Sequence, residues 1–282
     1  MGLRIKTNVE SLVSQRQLSG NQMDLNQSLE RLSSGLRINK SADDAAGLAI
    51  SENLRAKTRG LTQAKRNAND GVSLIQVAEG GLNEVTNILV RMRELNVQAA
   101  SDTLGVREKG YLQKEYGQLV EEIDRIANTT EFNGRMLFGP QSEETAVKIQ
   151  VGYNGGVDDQ LSLQLGDAPD GINTEALALK DTAIDGEDRD LIAGNLGVID
   201  DAFSKVANSR ATLGAMQSRL NTAISNISVS SENMSSAGSR IRDVDFAEET
   251  AKLTQSRILS QAGLSFLSQA NQKPEMALSL LR

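Results

Sequence analysis

A seven-residue repeat constrains this chain more than any other feature. Leu54, Leu61, Ala68, Ile75, Leu82 and Leu89 recur by seven. A partner set, Ile50, Lys57, Ala64, Gly71, Ala78, Val85, Met92 and Ala99, keeps the same register. Spacings of three and four place both sets on one helical face, which a lone helix cannot bury. Lys57 and Gly71 interrupt the apolar pattern without shifting it. A continuous helix here extends roughly 75 Å at ~1.5 Å per residue, more than ordinary globular helices. Ser41, Asp43 and Asp44 are candidate caps at its start.

The pattern continues in shorter form. After the turn sequence Ser101–Gly105, the residues Leu112, Tyr116, Leu119, Ile123 and Ile126 predict a helix that folds back on the first. Asn133-Gly134 predicts a turn. Residues 146–151 and 160–165 alternate apolar and polar around Asn154-Gly155-Gly156, a β-hairpin signature. Residues 166–189, rich in Asp and Gly, read as an irregular surface segment. The heptad returns with Ile199, Val206, Leu213, Leu220, Ile227 and Met234, flanked by Leu196, Phe203, Arg210, Gln217 and Ile224. Ser235–Ser239 predicts a break before a last tract carrying Leu253, Ile258, Phe266 and Leu267. At the other end Leu18, Leu25 and Leu32 repeat by seven, and Gly35 and Asn39 predict a loop after them.

Composition agrees with long thin helices. Aromatics are 3% of the 282 residues, and the only prolines are Pro140, Pro169 and Pro274. With no His and no Cys, the commonest general base, thiolate nucleophiles, disulfides and Cys-ligated zinc are ruled out. No catalytic residue, cofactor site or metal site is assigned. Asp158, Asp159, Asp167 and Asp170 read as a solvated acidic loop rather than a cation site. A net charge of -7 argues against nucleic-acid binding, and no apolar run approaches the ~20 residues of a membrane span. The first residues, MGLRIKTNVESLV, lack the apolar core of a cleavable signal.

The expected fold is mainly α: an elongated helical bundle or coiled coil of long antiparallel helices with a small β-hairpin near 146–165, its N- and C-terminal segments paired. Residues 1–42 with 236–282 form one discontinuous terminal helical domain, and 43–235 an elongated one. Each terminal stripe is only partly buried by the other, so further copies must cover the rest. Contacts of that kind that do not close on themselves build a helical polymer. The ends are expected to order on assembly, neither folding stably without the other.

Several long segments then carry a specific resemblance. They are LERLSSGLRINKSADDAAGLAISENLRA (Leu29–Ala56), NDGVSLIQVAEGGLNEVTNILVRMRELNVQAA (Asn69–Ala100), EEIDRIANTTEFNGRMLF (Glu121–Phe138) and the C-terminal ILSQAGLSFLSQANQKPEMALSLLR. In order and extent they resemble bacterial flagellin, the flagellar filament subunit, over residues 1–139 and roughly 190–282. The resemblance implies a secreted, self-assembling, non-enzymatic protein of swimming motility, in a short form without large outer domains. It implies that the ends, with Leu18, Leu25, Leu32, Leu253, Ile258, Phe266 and Leu267, form the filament's inner core. It also implies an export chaperone on the C-terminal helix, and filament cap and hook–filament junction proteins as neighbours. Toll-like receptor 5 is a further implied partner, through Arg91 and Leu95 of an Arg-x-Arg-Glu-Leu stretch and Glu115, residues that also serve subunit packing. Asn96 departs from the Ala common at its position. Lys273 and Glu275 depart around Pro274, and are expected to face a polar lumen or another subunit's charge. Alternatives are a hook–filament junction protein and a secreted helical adhesin or effector.

Overall fold

A computed structural model describes residues 7–138, 147–163, 171–180, 182–184 and 189–279, with the side chains of 189 and 273–279 left out. The expectations for Asp167, Asp170, Lys273 and Glu275 fall outside the described residues or side chains. Five α-helices are described: α1 (Val9–Ser34), α2 (Ala45–Ala99), α3 (Val106–Thr129), α4 (Arg189–Arg242) and α5 (Phe246–Ser279). Two antiparallel strand pairs lie between α3 and α4: β1 (Glu131–Phe132) with β2 (Arg135–Met136), and β3 (Val147–Gln150) with β4 (Gln160–Leu163). The chain divides into two compact units, Met1–Thr58 with Glu232–Arg282, and Arg59–Ser231.

In the second unit the α2 heptad is the core. Ala68, Ile75, Ala78, Leu82, Val85, Leu89, Met92 and Ala99 are buried in one cluster with Tyr116 and Ile123 of α3. The interruption at Gly71 has a cause. A Cβ there would lie 2.5 Å from Ile149 Cδ1, so the missing side chain seats the β3–β4 hairpin against α2. Gly60 does the same for Tyr153, whose Cβ is 3.1 Å from the would-be Cβ. Asn67 Nδ2 donates to Gln150 O at 3.2 Å and ties the hairpin down.

Three sequence expectations need correction. Ser235–Ser239 does not break the helix: α4 continues to Arg242, because Ser, Ala and a single Gly cost a helix far less than a Pro. The chain turns instead at Asp243–Asp245, where Asp245 Oδ1 accepts Ala247 N at 2.9 Å and caps α5. The α4 seam that flanks Ile199, Val206, Leu213 and Leu220 is Ala202, Ser209 and Met216, all buried, and not the Phe203 line. Small Ala202 and Ser209 fit the interface, whereas Phe203 is 42% exposed and Arg210 and Gln217 stay partly hydrated.

The third correction concerns 166–189. Its described part is irregular yet not superficial, since Ile172, Leu177, Leu179 and Ile184 are buried in the same core. Polar side chains pin the segment. Asp124 accepts Thr174 N at 2.9 Å and Thr174 Oγ1 at 2.7 Å, and Gln113 Oε1 accepts Ile184 N at 2.7 Å. Tyr116 Oη bonds Thr182 Oγ1 at 2.8 Å, while burial raises the Tyr116 pKa. Backbone groups that would be costly to bury unpaired are thereby satisfied.

In the first unit the chain leaving α1 is latched to the chain entering α5. Gly35 closes α1 in the left-handed conformation at φ 72°, its N–H reaching Arg31 O at 2.9 Å. Arg37 N then donates to Arg242 O at 2.7 Å, and Val244 N to Gly35 O at 3.1 Å. Of the three candidate caps of α2, Asp44 performs the role, accepting Gly47 N at 2.9 Å. Asp43 instead accepts Asn39 N and Lys40 N at 3.1 and 3.0 Å and shapes the loop.

These loop bonds have a pH signature. Backbone donors Lys40 and Asn39 hold the Asp43 carboxyl below its usual 3.8, and Lys40 and Asn39 side chains hold Glu30 below 4.5. Arg242 similarly lowers Glu52. A depressed carboxylate pKa means that the unfolded chain binds more protons than the native one, so the contribution is present above the ordinary pKa and lost as pH falls below it. Amide exchange at residues 36–44 is therefore expected to accelerate as pH drops below about 4, after correction for intrinsic exchange. A flat protection profile down to full acid unfolding would contradict this.

Candidate functional site

The first candidate surface is the terminal pair, α1 against α5. The two helices are antiparallel. Asn8 at the start of α1 donates through Nδ2 to Ala270 O at 2.8 Å, and Ser11 Oγ donates to Asn271 Oδ1 at 3.0 Å. At the other end Arg31 Nη1 lies 3.9 Å from Glu249. Asn8 also caps α1, its Oδ1 accepting Ser11 N at 3.1 Å.

The contact seam differs from a plain leucine stripe. On α1 the least exposed positions run Ser11, Ser14, Leu18, Asn21, Leu25, Ser28 and Leu32, spaced by three and four. On α5 they include Leu253, Ser256, Ser260, Gly263, Leu267 and Ala270, spaced the same way. Leucines thus alternate with small residues, and a Cβ on Gly263 would sit 3.5 Å from Leu18 Cδ1. The small residues let the helices approach closely, while burying only a thin line of hydrocarbon. Sequence periodicity found the leucines and missed the serines between them. Their 3–4 spacing was the available signal.

The seven terminal residues singled out from sequence therefore separate into two faces. Leu18, Leu25, Leu32, Leu253 and Leu267 are half-buried in the α1–α5 seam. Ile258 and Phe266 point away from it and are 60% and 64% exposed. Leu259, Leu264 and Phe246 on α5 and Leu12, Val13 and Met23 on α1 are exposed as well. Apolar exposure on this scale marks an interaction surface.

The second candidate surface lies on α2 and α3. Arg91 donates from Nε and Nη2 to Glu115 Oε1 at 2.9 and 2.7 Å, and from Nη1 to Glu94 Oε2 at 2.9 Å. Glu115 and Glu94 raise the Arg91 pKa and hold its planar head in one orientation. Leu95 is not part of this surface: it is 1% exposed and belongs to the core. The outward side of α2 here carries Val90, Arg91, Glu94 and Val97. Val90 and Val97 were missed from sequence, although their spacing of seven, out of phase with the core seam, was visible. Arg93 pairs with Asp200 of α4 at 3.0 Å.

Elsewhere the geometry is structural. Asp159 Oδ2 accepts Asn154 N at 2.9 Å and shapes the hairpin loop. Among the described residues no group of three or more carboxylates forms a metal-binding cluster, and no helix is long and apolar enough to cross a membrane.

Comparison with known proteins bears on what these surfaces do. Residues 5–142 match the bacterial flagellin N-terminal helical region, and residues 196–281 the bacterial flagellin C-terminal helical region. A flagellin of Halalkalibacterium halodurans is 45% identical over 278 residues, covering 99% of both chains. The flagellin of Bacillus subtilis is 42% identical, covering 99% of this chain and 100% of its own. Among solved structures, a crystal structure of Bacillus cereus flagellin aligns at 30% identity and a TM-score of 0.48, over 61% of this chain and 94% of that one.

Proposed function

The chain belongs to the bacterial flagellin family, and from that premise we propose how its parts share the work of a filament subunit. As a flagellin it is a secreted structural protein whose copies polymerise into the flagellar filament for swimming motility. Family members that match both ends of the chain at near-complete coverage disfavour the readings as a junction protein, adhesin or effector.

In the proposed arrangement residues 1–42 and 236–282 form the inner core of the filament, and 43–235 surround it. The observation that carries this is the second apolar face of the terminal pair. The α1–α5 seam uses one side of each helix and leaves Ile258, Phe266, Met23 and Leu12 open. The ends of neighbouring copies cover them. Electron microscopy of seeded, concentrated protein is expected to show hollow filaments. Replacing Ile258 and Phe266 together by Ser is expected to stop elongation while the monomer keeps its helix content, and filaments of normal length from that variant would overturn the assignment.

Before assembly the same α5 face is masked by an export chaperone, since Leu259, Ile258 and Phe266 present a continuous apolar target for a helical groove. The filament cap and the hook–filament junction proteins are its neighbours at the two ends of the polymer. Toll-like receptor 5 engages the outward side of α2 through Arg91, with Glu115 orienting the guanidinium and Leu95 supporting α2 from the core. A receptor reporter assay on monomer is expected to give a signal that Arg91→Ala lowers several-fold. No response at high dose from the unmodified chain would end this part of the reading.

A further inference from the structure

The chain contains two Asn-Gly pairs on described, exposed loops, and the structure treats them differently. Asn133-Gly134 is the two-residue loop of the β1–β2 hairpin, closed by the Phe132–Arg135 pair. Asn133 has φ 52° and Gly134 φ 76°. Positive φ at both positions is the type I′ turn that suits a tight hairpin. Leu137 N donates to Thr130 O at 3.0 Å just outside it. Changing the Asn133 backbone means giving up this pairing.

Asn154-Gly155 lies in the longer loop between β3 and β4. It is exposed, and neither residue has positive φ. The loop is anchored on both sides of Gly155, since Gly156 O accepts Asp159 N at 3.2 Å. Asp159 Oδ2 accepts Asn154 N at 2.9 Å, and Gln150 Nε2 donates to Asn154 O at 2.6 Å. The Asn154 side-chain amide and the Gly155 N–H make no hydrogen bond among the described residues. Nothing lies within 4 Å of a Cβ built on Gly155 or Gly156, so the space around the peptide is open.

We propose that Asn154 is a site of spontaneous deamidation, and that Asn133 is protected from the same reaction by its turn. The Gly155 amide nitrogen, losing its proton to solvent base, attacks Cγ of Asn154. The new C–N bond closes a five-membered succinimide, and the side-chain nitrogen leaves as ammonia. Water then opens the ring at either carbonyl and gives aspartate or isoaspartate. No oxidant or second protein is required. Glycine at 155 matters because it has no side chain to hinder the attack and leaves the backbone free to reach the reactive geometry. At Asn133 the hydrogen-bonded turn withholds that freedom.

The product places a new carboxylate beside Asp158 and Asp159, and isoaspartate also lengthens the backbone between two strands paired at Gln150–Gln160. The test is to age the full-length protein in mildly alkaline buffer and follow both sites by peptide mapping with fragmentation that separates aspartate from isoaspartate. Conversion is expected at Asn154, with isoaspartate predominating, rising with pH, and at least several-fold slower at Asn133. Gly155→Ala, which the open space accommodates, is expected to slow conversion at Asn154 severalfold without changing the folded state. In concentrated urea the two sites are expected to react at similar rates, because the turn is gone. Equal conversion of both sites in the folded protein, or an Asn154 rate unaffected by Gly155→Ala, would overturn the proposal.

Discussion

Deleting residues 254–282 abolishes filament formation and, as the larger claim, unfolds α1 although no residue of α1 is touched. The deletion removes Ser256, Ser260, Gly263, Leu267 and Ala270, almost the whole α5 side of the seam. It also removes the acceptors of Asn8 Nδ2 and Ser11 Oγ. What remains is a 26-residue helix rich in Ser, Gln and Asn whose leucines face water. Isolated helices are marginal in water even when alanine-rich, and this one has lost its packing face. The unit Arg59–Ser231 keeps its own core and is expected to unfold at nearly the parental temperature. Hydrogen exchange should therefore show α1 amides unprotected and those around Leu82 and Leu89 unchanged. A graded substitution tests the same seam without truncation. Gly263→Ala brings its Cβ to 3.5 Å from Leu18, an ordinary contact, and is tolerated. Gly263→Leu must displace Leu18 and blocks assembly. Normal filaments from the truncated chain, or protected α1 amides within it, would refute the pairing of the ends.

Those elements of this chain whose pattern repeats were legible from sequence, and those defined by what packs on them were not. From Leu61 onward the α2 heptad gave the long helix, its face and its register, because each core position recurs at the helical period; Ile50, assigned to the same seam, is instead 52% exposed. The β3–β4 pair was legible because alternation and Asn154-Gly155-Gly156 coincide. The 171–184 segment was misread as superficial because its apolar residues have no period. Ile172, Leu177 and Leu179 are held inside by Asp124, Gln113 and Tyr116, residues far away in sequence. The α4 flank was misread because Phe203 is the more hydrophobic residue, yet Ala202 is the one that fits the space. At the candidate surfaces, the leucines of the terminal seam were legible and its serines were passed over: their spacing of three and four was visible, but small polar residues carry no hydrophobic signal of their own. Leu95 was grouped with Arg91 by a linear motif; residues four apart share a helical face, yet the edge of the core falls between these two and leaves Arg91 exposed and Leu95 buried.

The adjacent glycines Gly80 and Gly81 offer a sharper discrimination between local preference and tertiary fit. Both sit in the middle of α2, where glycine costs roughly 0.5–1 kcal/mol relative to alanine. A Cβ on Gly80 meets nothing within 4 Å, so Gly80→Ala recovers that cost and is expected to stabilise the protein by about 0.5–1 kcal/mol. One residue on, a Cβ meets Phe138 Cε2 at 2.6 Å and Thr130 Oγ1 at 3.1 Å. Phe138 is 2% exposed and packs beside Leu137 at the foot of the β1–β2 hairpin, and its backbone carbonyl accepts Ile172 N at 3.0 Å. The ring cannot swing into solvent, and a shift of its backbone strains the 171–184 segment. Overpacking of this kind costs about 1–3 kcal/mol, which outweighs the recovered helix propensity. Gly81→Ala is thus destabilising, and Gly81→Val, with a stiffer and larger side chain, more so. Denaturant unfolding of the two alanine variants, side by side, should give midpoints on opposite sides of the parent. Midpoints shifted in the same direction would mean that α2 propensity, and not the Phe138 contact, decides what this helix tolerates.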